Sequence, residues 1–287
     1  MYTGFSSYVK REGIEYAAKI ATEHGFSSVE FFDMAGNGDK PSTFHSVADA
    51  LTAKQVLDRY GLSVACYSVG ATLVTPDREM QKNDRVISDL KRYADMAAAL
   101  GSPFLHHTLI LDLVLSEDAP AFDDVLIPVV EAACEVANYC QGLGLTCLYE
   151  GQGMYFNGVD GFGRFYSEMK KRCPNVGVCG DVGNTLFVDE SPVPFFQAFA
   201  EDIKHVHLKD YRMKNESSDG DSGTFHSRGG ACFENALIGC GQLDIASCLN
   251  ILKACSYRGA FALEIDYKKE YSQHVRQAFS VVRNCFG

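Results

Sequence analysis

The chain has 287 residues, of which 46% are hydrophobic and 22% are charged, proportions that are ordinary for a globular protein and unlike those of a disordered chain. No apolar run reaches the roughly 18 residues that a membrane-spanning helix needs, so no membrane partner is predicted. The formal net charge of −11 argues against nucleic acid as a partner, because phosphate-binding surfaces need clustered positive charge.

The first residues, Met-Tyr-Thr-Gly-Phe-Ser-Ser-Tyr, contain no basic region followed by an apolar stretch. We therefore predict no secretory signal and expect a cytoplasmic protein. The eleven cysteines are odd in number and include no Cys-x-x-Cys pair, which predicts reduced, packed thiols. The sequence does not specify the oligomeric state, and a homo-oligomer is one of the states it allows.

Short apolar runs alternate with segments of helical periodicity along the whole chain. The predicted strands cover residues 3–8, 28–32, 63–69, 103–109, 145–150, 176–181, 204–210 and 260–265. The predicted helices cover residues 13–24, 49–60, 84–100, 126–142, 162–172, 194–200, 245–254 and 272–285. This alternation predicts an α/β fold, and eight units predict one (β/α)8 TIM barrel domain over residues 1–287.

Two polar, glycine-bearing segments interrupt this rhythm. One covers residues 33–46, and the other, 212–243, is a long insertion after strand seven. Loops of this length inside a compact domain tend to be functional or disordered. Because both follow strand ends, both are expected on the side of a barrel that carries the functional site.

Four successive predicted strands end in a polar residue that a buried strand would not otherwise carry: Glu150, Asp181, His207 and Glu264. Side chains at the carboxyl ends of barrel strands converge. Three carboxylates and one imidazole suit a divalent ion such as Mn²⁺, Mg²⁺, Co²⁺ or Zn²⁺, and the ion would relieve the repulsion among the carboxylates. Taken singly, each residue is also an ordinary surface charge.

The same strand ends carry longer motifs. They are Leu148-Tyr-Glu150-Gly, Cys179-Gly-Asp181-Val-Gly-Asn184, His205-Val-His207-Leu-Lys209-Asp210, Ile238-Gly239-x-Gly241-x-x-Asp244 and Gly259-x-x-x-Leu263-Glu264. In this order, over nearly the whole chain, they resemble the xylose-isomerase-like superfamily of sugar isomerases and epimerases.

The resemblance implies a metal-dependent isomerase or epimerase that acts on a sugar or keto-sugar. It implies that Glu150, Asp181, His207 and Glu264 bind the metal, usually Mn²⁺, and that Glu150 and Glu264 act as acid and base on opposite faces of the sugar. A metal that chelates the carbonyl and hydroxyl oxygens stabilises the enediolate formed when the α-proton is removed.

Further residues are predicted to contact a small carbohydrate. Asn184 stands where epimerases of this superfamily commonly have histidine, and Arg212 is the candidate for their substrate-binding arginine. His107 or its neighbour His106 can face the site, but not both, because adjacent strand residues point to opposite faces. The remaining candidates are Lys209 and Glu30.

Two alternatives stay open. A lyase of the same fold, such as a keto-inositol dehydratase or an enzyme that cleaves 3-oxo-glycosides, begins with the same proton abstraction and then expels a leaving group. A non-catalytic sugar-binding subunit would bind carbohydrate without turnover. A phosphodiesterase is disfavoured because the chain has only 8 histidines and a net charge of −11. No glycine-rich phosphate loop is evident, which favours an unphosphorylated substrate.

Overall fold

The computed structural model describes residues 3–36, 42–75, 80–111, 119–214, 224–264 and 271–286. Within these ranges the helices are α1 (Thr3–Glu12), α2 (Ile14–Glu23), α3 (Val47–Arg59), α4 (Asp84–Ala99), α5 (Phe122–Gly142), α6 (Gly158–Arg172), α7 (Pro192–Phe199), α8 (Ile245–Ala254) and α9 (Tyr271–Phe286), with a short 3₁₀ helix at Asn184–Val188. The strands are β1 (Ser28–Met34), β2 (Ser63–Gly70), β3 (Phe104–His107), β4 (Thr146–Tyr149), β5 (Val176–Asp181), β6 (Ile203–Leu208), β7 (Asp210–Lys214), β8 (Thr224–His226), β9 (Cys232–Ala236) and β10 (Phe261–Leu263).

The chain divides into two compact units. The first consists of Met1–Tyr149 and Arg164–Gly177, and the second of Glu150–Gly163 and Val178–Gly287. The single domain over residues 1–287 stays a prediction.

Strands β1 to β4 of the first unit pair in parallel in sequence order. They are buried between helices, and aromatic side chains fill the space. Phe31 stacks on Tyr67 with ring centroids 5.6 Å apart, and Tyr67 contacts Tyr93 of α4 at 5.8 Å. Such rings bury large apolar areas, so this cluster anchors helix α4 to strands β1 and β2.

The predicted first strand is wrong, because Thr3–Glu12 form helix α1. Phe5 and Tyr8 are three residues apart, a spacing that puts both on one face of a helix but on opposite faces of a strand. Phe5 is fully buried against Phe31 at 5.3 Å, and Tyr8 contacts Tyr16 of α2 at 5.9 Å. Packing of α1 against β1 therefore decides its conformation. The other seven predicted strands correspond to β1 to β6 and β10.

In the second unit, β5, β6 and β10 pair in parallel, with β6 in the middle. Helix α7 packs through a cluster of phenylalanines: Phe162 lies 5.0 Å from Phe195 and 5.1 Å from Phe199, ring to ring. These contacts join α7 to the part of α6 that belongs to the second unit.

The segment predicted as an irregular insertion contains regular structure where it is described. Strands β7, β9 and β8 form an antiparallel sheet in that order. Tyr211, Phe225 and Phe233 pack together with Phe187 of the 3₁₀ helix, with Phe187 and Phe233 5.2 Å apart. Residues 215–223 of the segment lie outside the described residues.

Capping residues stand at both ends of α3 and α4. Ser46 and Asn83 accept hydrogen bonds from backbone N–H groups of the first turns of α3 and α4. Gly61 and Gly101 follow these helices with φ of 67° and 74°, a backbone conformation that glycine adopts without strain. All eleven cysteines are free. Among the described helices, none is both long enough and apolar enough to span a bilayer.

Candidate active site

Three hydrogen-bonded strands of the second unit present the predicted ligands side by side. Asp181 of β5 is in register with His207 of β6, and His207 is in register with Ala262 of β10. The Glu264 N–H donates to the Leu208 carbonyl at 2.9 Å, which continues the pairing beyond β10. The side chains at these three strand ends therefore meet.

His207 lies at the centre of the carboxylates. Its Nδ1 is 3.2 Å from Oε2 of Glu150, 3.2 Å from Oε1 of Glu264 and 3.8 Å from Oδ2 of Asp181. Glu150, Asp181 and His207 are buried, and the Glu264 side chain is 18% exposed. Solvent therefore reaches this cluster mainly on the side of Glu264. We call these four residues the carboxylate cluster.

Lys209 places one ammonium group against the carboxylate cluster. Its Nζ lies 2.9 Å from Oδ2 of Asp181 and 2.7 Å from Oε2 of Glu264, and it donates to Oδ1 of Asn184 at 3.2 Å. Burial lowers the pKa of Lys209, but the charges of Asp181 and Glu264 outweigh it and hold that pKa well above its usual value. For Glu264 the effect of burial has the opposite sign and raises the pKa, but the interactions with Lys209 and His207 outweigh it and lower that pKa to about 2.

The second oxygen of Asp181 is held by the backbone. Its Oδ1 accepts from the N–H groups of Gly183 and Asn184, both at 2.8 Å, where the 3₁₀ helix begins. Asn157 donates from Nδ2 to the Asn184 carbonyl at 2.8 Å and to that of Gly153 at 3.0 Å. The Asn157 bonds join the loop after Glu150 to the turn after Asp181, and the two backbone N–H groups fix the orientation of the Asp181 carboxylate.

The donor set and its spacing fit a divalent ion. Two ligands about 2.1 Å from one ion lie about 3.0 Å apart in octahedral and about 3.4 Å apart in tetrahedral coordination. The two separations of 3.2 Å from His207 Nδ1 fall in this range, and one donor atom each of Asp181, His207 and Glu264 lie within 4.8 Å of one another. Oxygen and nitrogen donors of this kind suit Mg²⁺, Mn²⁺ and Zn²⁺.

Sequence reasoning missed one neighbour of the carboxylate cluster, Cys179. The Cys179 thiol lies within 4.8 Å of donor atoms of Glu150 and His207, and its position two residues before Asp181, on the same strand face, was the available signal. Asp210 accepts four backbone hydrogen bonds, two of them from Gly239 and Gly241. It therefore holds the loop that contains Gly239 and Gly241 in the second unit.

Arg212 is not brought to the carboxylate cluster by its described contacts. Its side chain is 54% exposed, its NH1 lies 3.8 Å from Glu234, and its NH2 donates to the Cys240 carbonyl at 3.4 Å. These contacts hold it on the small antiparallel sheet. Its role as a substrate-binding residue stays a prediction.

The first unit contains the remaining candidates. Buried Glu30 accepts a hydrogen bond from Ser68, whose hydroxyl also lies 3.0 Å from Nδ1 of His106. His107 has its Nδ1 3.0 Å from the Thr108 carbonyl and its ring 5.2 Å from Tyr149, so it packs on the opposite strand face. Burial lowers the pKa of His107 to about 4. The histidine that shares a network with Glu30 is thus His106, and substrate contact by Glu30 or His107 stays a prediction.

The geometry at Gly183 gives a test of how Lys209 is held. A Cβ at this position would lie 2.6 Å from Cγ of Lys209 and 2.7 Å from Cε2 of Tyr211, although a φ of −117° is open to any residue. We expect Gly183→Ala to displace the lysine and lower stability by about 1–3 kcal/mol. Thermal unfolding measures this, with Gly163→Ala as the control.

Gly163 lies inside α6, where a Cβ would meet only Phe199 at an ordinary 3.5 Å. That substitution should leave stability unchanged or raise it by about 0.5–1 kcal/mol, because alanine favours helix. Equal melting temperatures for the two variants would show that Gly183 does not determine the position of Lys209.

Comparison with known proteins agrees with this architecture. The family model described as "Xylose isomerase-like TIM barrel" matches residues 18–285. A xylose isomerase-like TIM barrel protein from Mycobacterium smegmatis in complex with magnesium is 16% identical, with 95% of this chain and 89% of that chain covered and a TM-score of 0.69. The 3-keto-D-glucoside 4-epimerase YcjR from E. coli is 16% identical, with coverage of 96% and 95% and a TM-score of 0.69. The IOLI protein with a bound zinc atom is 14% identical, with coverage of 100% and 98% and a TM-score of 0.71.

At these identities the solved structures show a shared fold and nothing more specific. No curated protein sequence matches the chain. The predicted α/β TIM barrel and the predicted resemblance are confirmed by the family match, which spans nearly every element from α2 to α9. The chain therefore belongs to the xylose isomerase-like TIM barrel family.

Proposed function

We propose that this protein is a divalent-metal-dependent isomerase or epimerase that removes the α-proton of a sugar or keto-sugar. The observation that carries the proposal is the convergence of Glu150, Asp181 and Glu264 on Nδ1 of His207 at 3.2 to 3.8 Å. A site of this kind in a TIM barrel enzyme lies at the carboxyl ends of the strands, as these residues do.

The proposed metal ligands are Glu150, Asp181, His207 and Glu264. When bound, a divalent ion supplies the positive charge that stabilises an enediolate. Mn²⁺ is the ion we favour, because the resemblance to metal-dependent epimerases implies it. The donor set also suits Mg²⁺, Co²⁺ and Zn²⁺, and two of the related structures hold magnesium and zinc.

The two glutamates are the proposed acid and base. Asp181 has one oxygen bonded to two backbone N–H groups, and its other oxygen, 2.9 Å from Nζ of Lys209, is the one proposed to bind the metal, so neither is left to take a substrate proton. Glu150 and Glu264 each have a carboxylate oxygen 3.2 Å from Nδ1 of His207, and a carboxylate has further lone pairs that can take a proton. One carboxylate removes the proton and the other returns it, which inverts a carbon if they act on opposite faces.

The charges around the cluster favour a neutral substrate. The ammonium of Lys209 contacts the cluster, but it is already paired with Asp181 and Glu264. A phosphate group would need a further positive partner. We infer that the substrate is an unphosphorylated carbohydrate, as in the epimerase YcjR, whose substrate is a keto-glucoside by name.

A lyase is the second candidate, and Asn184 is the observation that favours it. This residue stands beside Asp181 and Lys209 but carries no charge, so it cannot return a proton as histidine does. Loss of a leaving group after proton abstraction would then compete with reprotonation. Analysis of the product formed from a 3-keto-glucoside separates an epimer from an elimination product.

The first experiment combines metal content with proton exchange. Purified protein is dialysed exhaustively, its metal content is measured, and the metal-free protein is reloaded with Mn²⁺. We expect about one divalent ion per chain and Mn²⁺-dependent incorporation of deuterium next to the carbonyl of keto-sugars in heavy water. Absence of a bound ion, together with no exchange across the sugar panel, would leave the sugar-binding subunit as the better description.

A further inference from the structure

Lys209 has an unusual position for a lysine, since its ammonium is inside the proposed metal centre. The side chain is only 12% exposed, and its Nζ contacts Asp181 at 2.9 Å and Glu264 at 2.7 Å. Its stem passes over Gly183, where an added Cβ would overlap Cγ and Cδ. The ammonium is therefore fixed by packing and by three acceptors, and a flexible surface lysine would behave differently.

The charge of the cluster depends on this residue. Glu150, Asp181 and Glu264 contribute three negative charges and Lys209 one positive charge, so the formal sum is −3 + 1 = −2. A divalent ion would balance this sum. Without Lys209 the same buried carboxylates would carry −3, which strengthens attraction for a cation and raises the repulsion among them when no cation is bound.

We propose that Lys209 is an internal cation of the metal centre, which stabilises the metal-free protein and limits the affinity of the carboxylate cluster for a divalent ion. This inference rests on the proposed metal site. It makes Lys209 a positioning residue: it holds Oδ2 of Asp181 and Oε2 of Glu264, and it leaves Oε1 of Glu264 directed at His207.

The proposed role of Lys209 predicts opposite changes in stability and in metal affinity, which distinguishes it from a purely structural role. Removal of a lysine that only supports the fold would lower both stability and metal affinity. Removal of an internal cation should lower the stability of the metal-free protein and raise its affinity for Mn²⁺.

The test is Lys209→Met, which keeps an unbranched apolar stem and removes the charge. Metal-free protein is titrated with Mn²⁺ by calorimetry, and its melting temperature is measured with and without Mn²⁺. We expect Mn²⁺ to bind at least about 10-fold more tightly than to the wild type. We also expect the metal-free melting temperature to fall by roughly 5 °C and Mn²⁺ to restore it.

Two further variants control for charge and for folding. Lys209→Arg keeps the charge and should bind Mn²⁺ within about 3-fold of the wild type. Lys204→Met removes an exposed lysine of β6, the strand that precedes Lys209. Its Nζ donates to the Glu201 carbonyl at 3.2 Å, and the substitution should change neither Mn²⁺ affinity nor melting temperature.

The outcomes also separate this inference from the proposed function. Weaker Mn²⁺ binding by Lys209→Met, or unchanged affinity, would overturn the role of Lys209 while the wild-type ion still supported the metal site. Failure of the wild type to bind any Mn²⁺ would instead reject the metal-dependent function, and the limit on affinity would be rejected with it.

Discussion

Glu150→Gln is expected to slow deuterium exchange into a keto-sugar at least about 100-fold, because an amide cannot accept the proton that a carboxylate removes. Glutamine has the same shape as glutamate, and Glu150 is buried with its Oε2 3.2 Å from Nδ1 of His207. The substitution therefore changes charge and basicity with little change in volume. The measurement is the rate of deuterium incorporation in heavy water with Mn²⁺ present.

The control is Glu201→Gln, which removes one negative charge from an exposed residue just before β6. Its exchange rate should equal that of the wild type. Metal content is measured on both variants, since Glu150 is also a proposed ligand. Exchange at the wild-type rate by Glu150→Gln, with its ion retained, would exclude Glu150 as the proton acceptor.

The positions of the four cluster residues were predictable because parallel strands impose a simple rule. Residues that end neighbouring strands lie together, and Asp181, His207 and Glu264 end or follow three strands that pair in the order β5, β6 and β10. The rule concerns the backbone alone. It says nothing of where a long side chain reaches, so the contacts of Lys209 with Asp181 and Glu264 could not be read from the sequence.

Adjacent strand residues show a second limit. The sequence predicted that only one of His106 and His107 faces a functional site, because neighbouring strand residues point to opposite faces. It did not predict which of the two faces of β3 carries His106. The structure answers this within the first unit: His106 is hydrogen-bonded to Ser68, and His107 packs on Tyr149 on the other face. Both residues are histidines, so hydrophobic alternation gave no signal.

Short apolar patterns were the third source of error. Thr3–Glu12 offered too few apolar residues to separate a period of two from one of 3.6, and burial of Phe5 decided for a helix. The segment after β6 looked polar as a whole. Phe225 and Phe233, eight residues apart among Ser, Gly and Asp, nevertheless anchor an antiparallel sheet, because each packs on Phe187 and Tyr211.

Asp210→Asn is expected to lower the free energy of unfolding by about 2–4 kcal/mol, more than any other single polar substitution we consider. The carboxylate of Asp210 is buried and accepts four backbone N–H groups. Oδ1 accepts from Tyr211 at 2.9 Å and Leu243 at 3.2 Å, and Oδ2 accepts from Gly239 at 3.0 Å and Gly241 at 2.8 Å.

An asparagine cannot reproduce this arrangement in either orientation of its amide. One of the two oxygens becomes an NH₂ group, which then faces two backbone donors instead of accepting from them. The side chain has no room to rotate, because the loop surrounds the carboxylate closely. A Cβ added to Gly241 would lie only 2.1 Å from Oδ1 of Asp210. Two N–H groups are left buried and unbonded, and the negative charge that strengthened all four bonds is lost.

The measurement is urea unfolding, with Asp244→Asn as the matched control. Asp244 is exposed and, as the N-cap of α8, accepts hydrogen bonds from the backbone N–H of Ser247 at 3.1 Å and from its side chain. Asparagine caps a helix about as well as aspartate, so this variant should differ from the wild type by less than about 0.5 kcal/mol. If the two variants unfold at the same urea concentration, Asp210 does not hold the loop from Ile238 to Asp244. The fixed geometry next to Lys209 must then come from the strand pairing of β6 with β5 and β10.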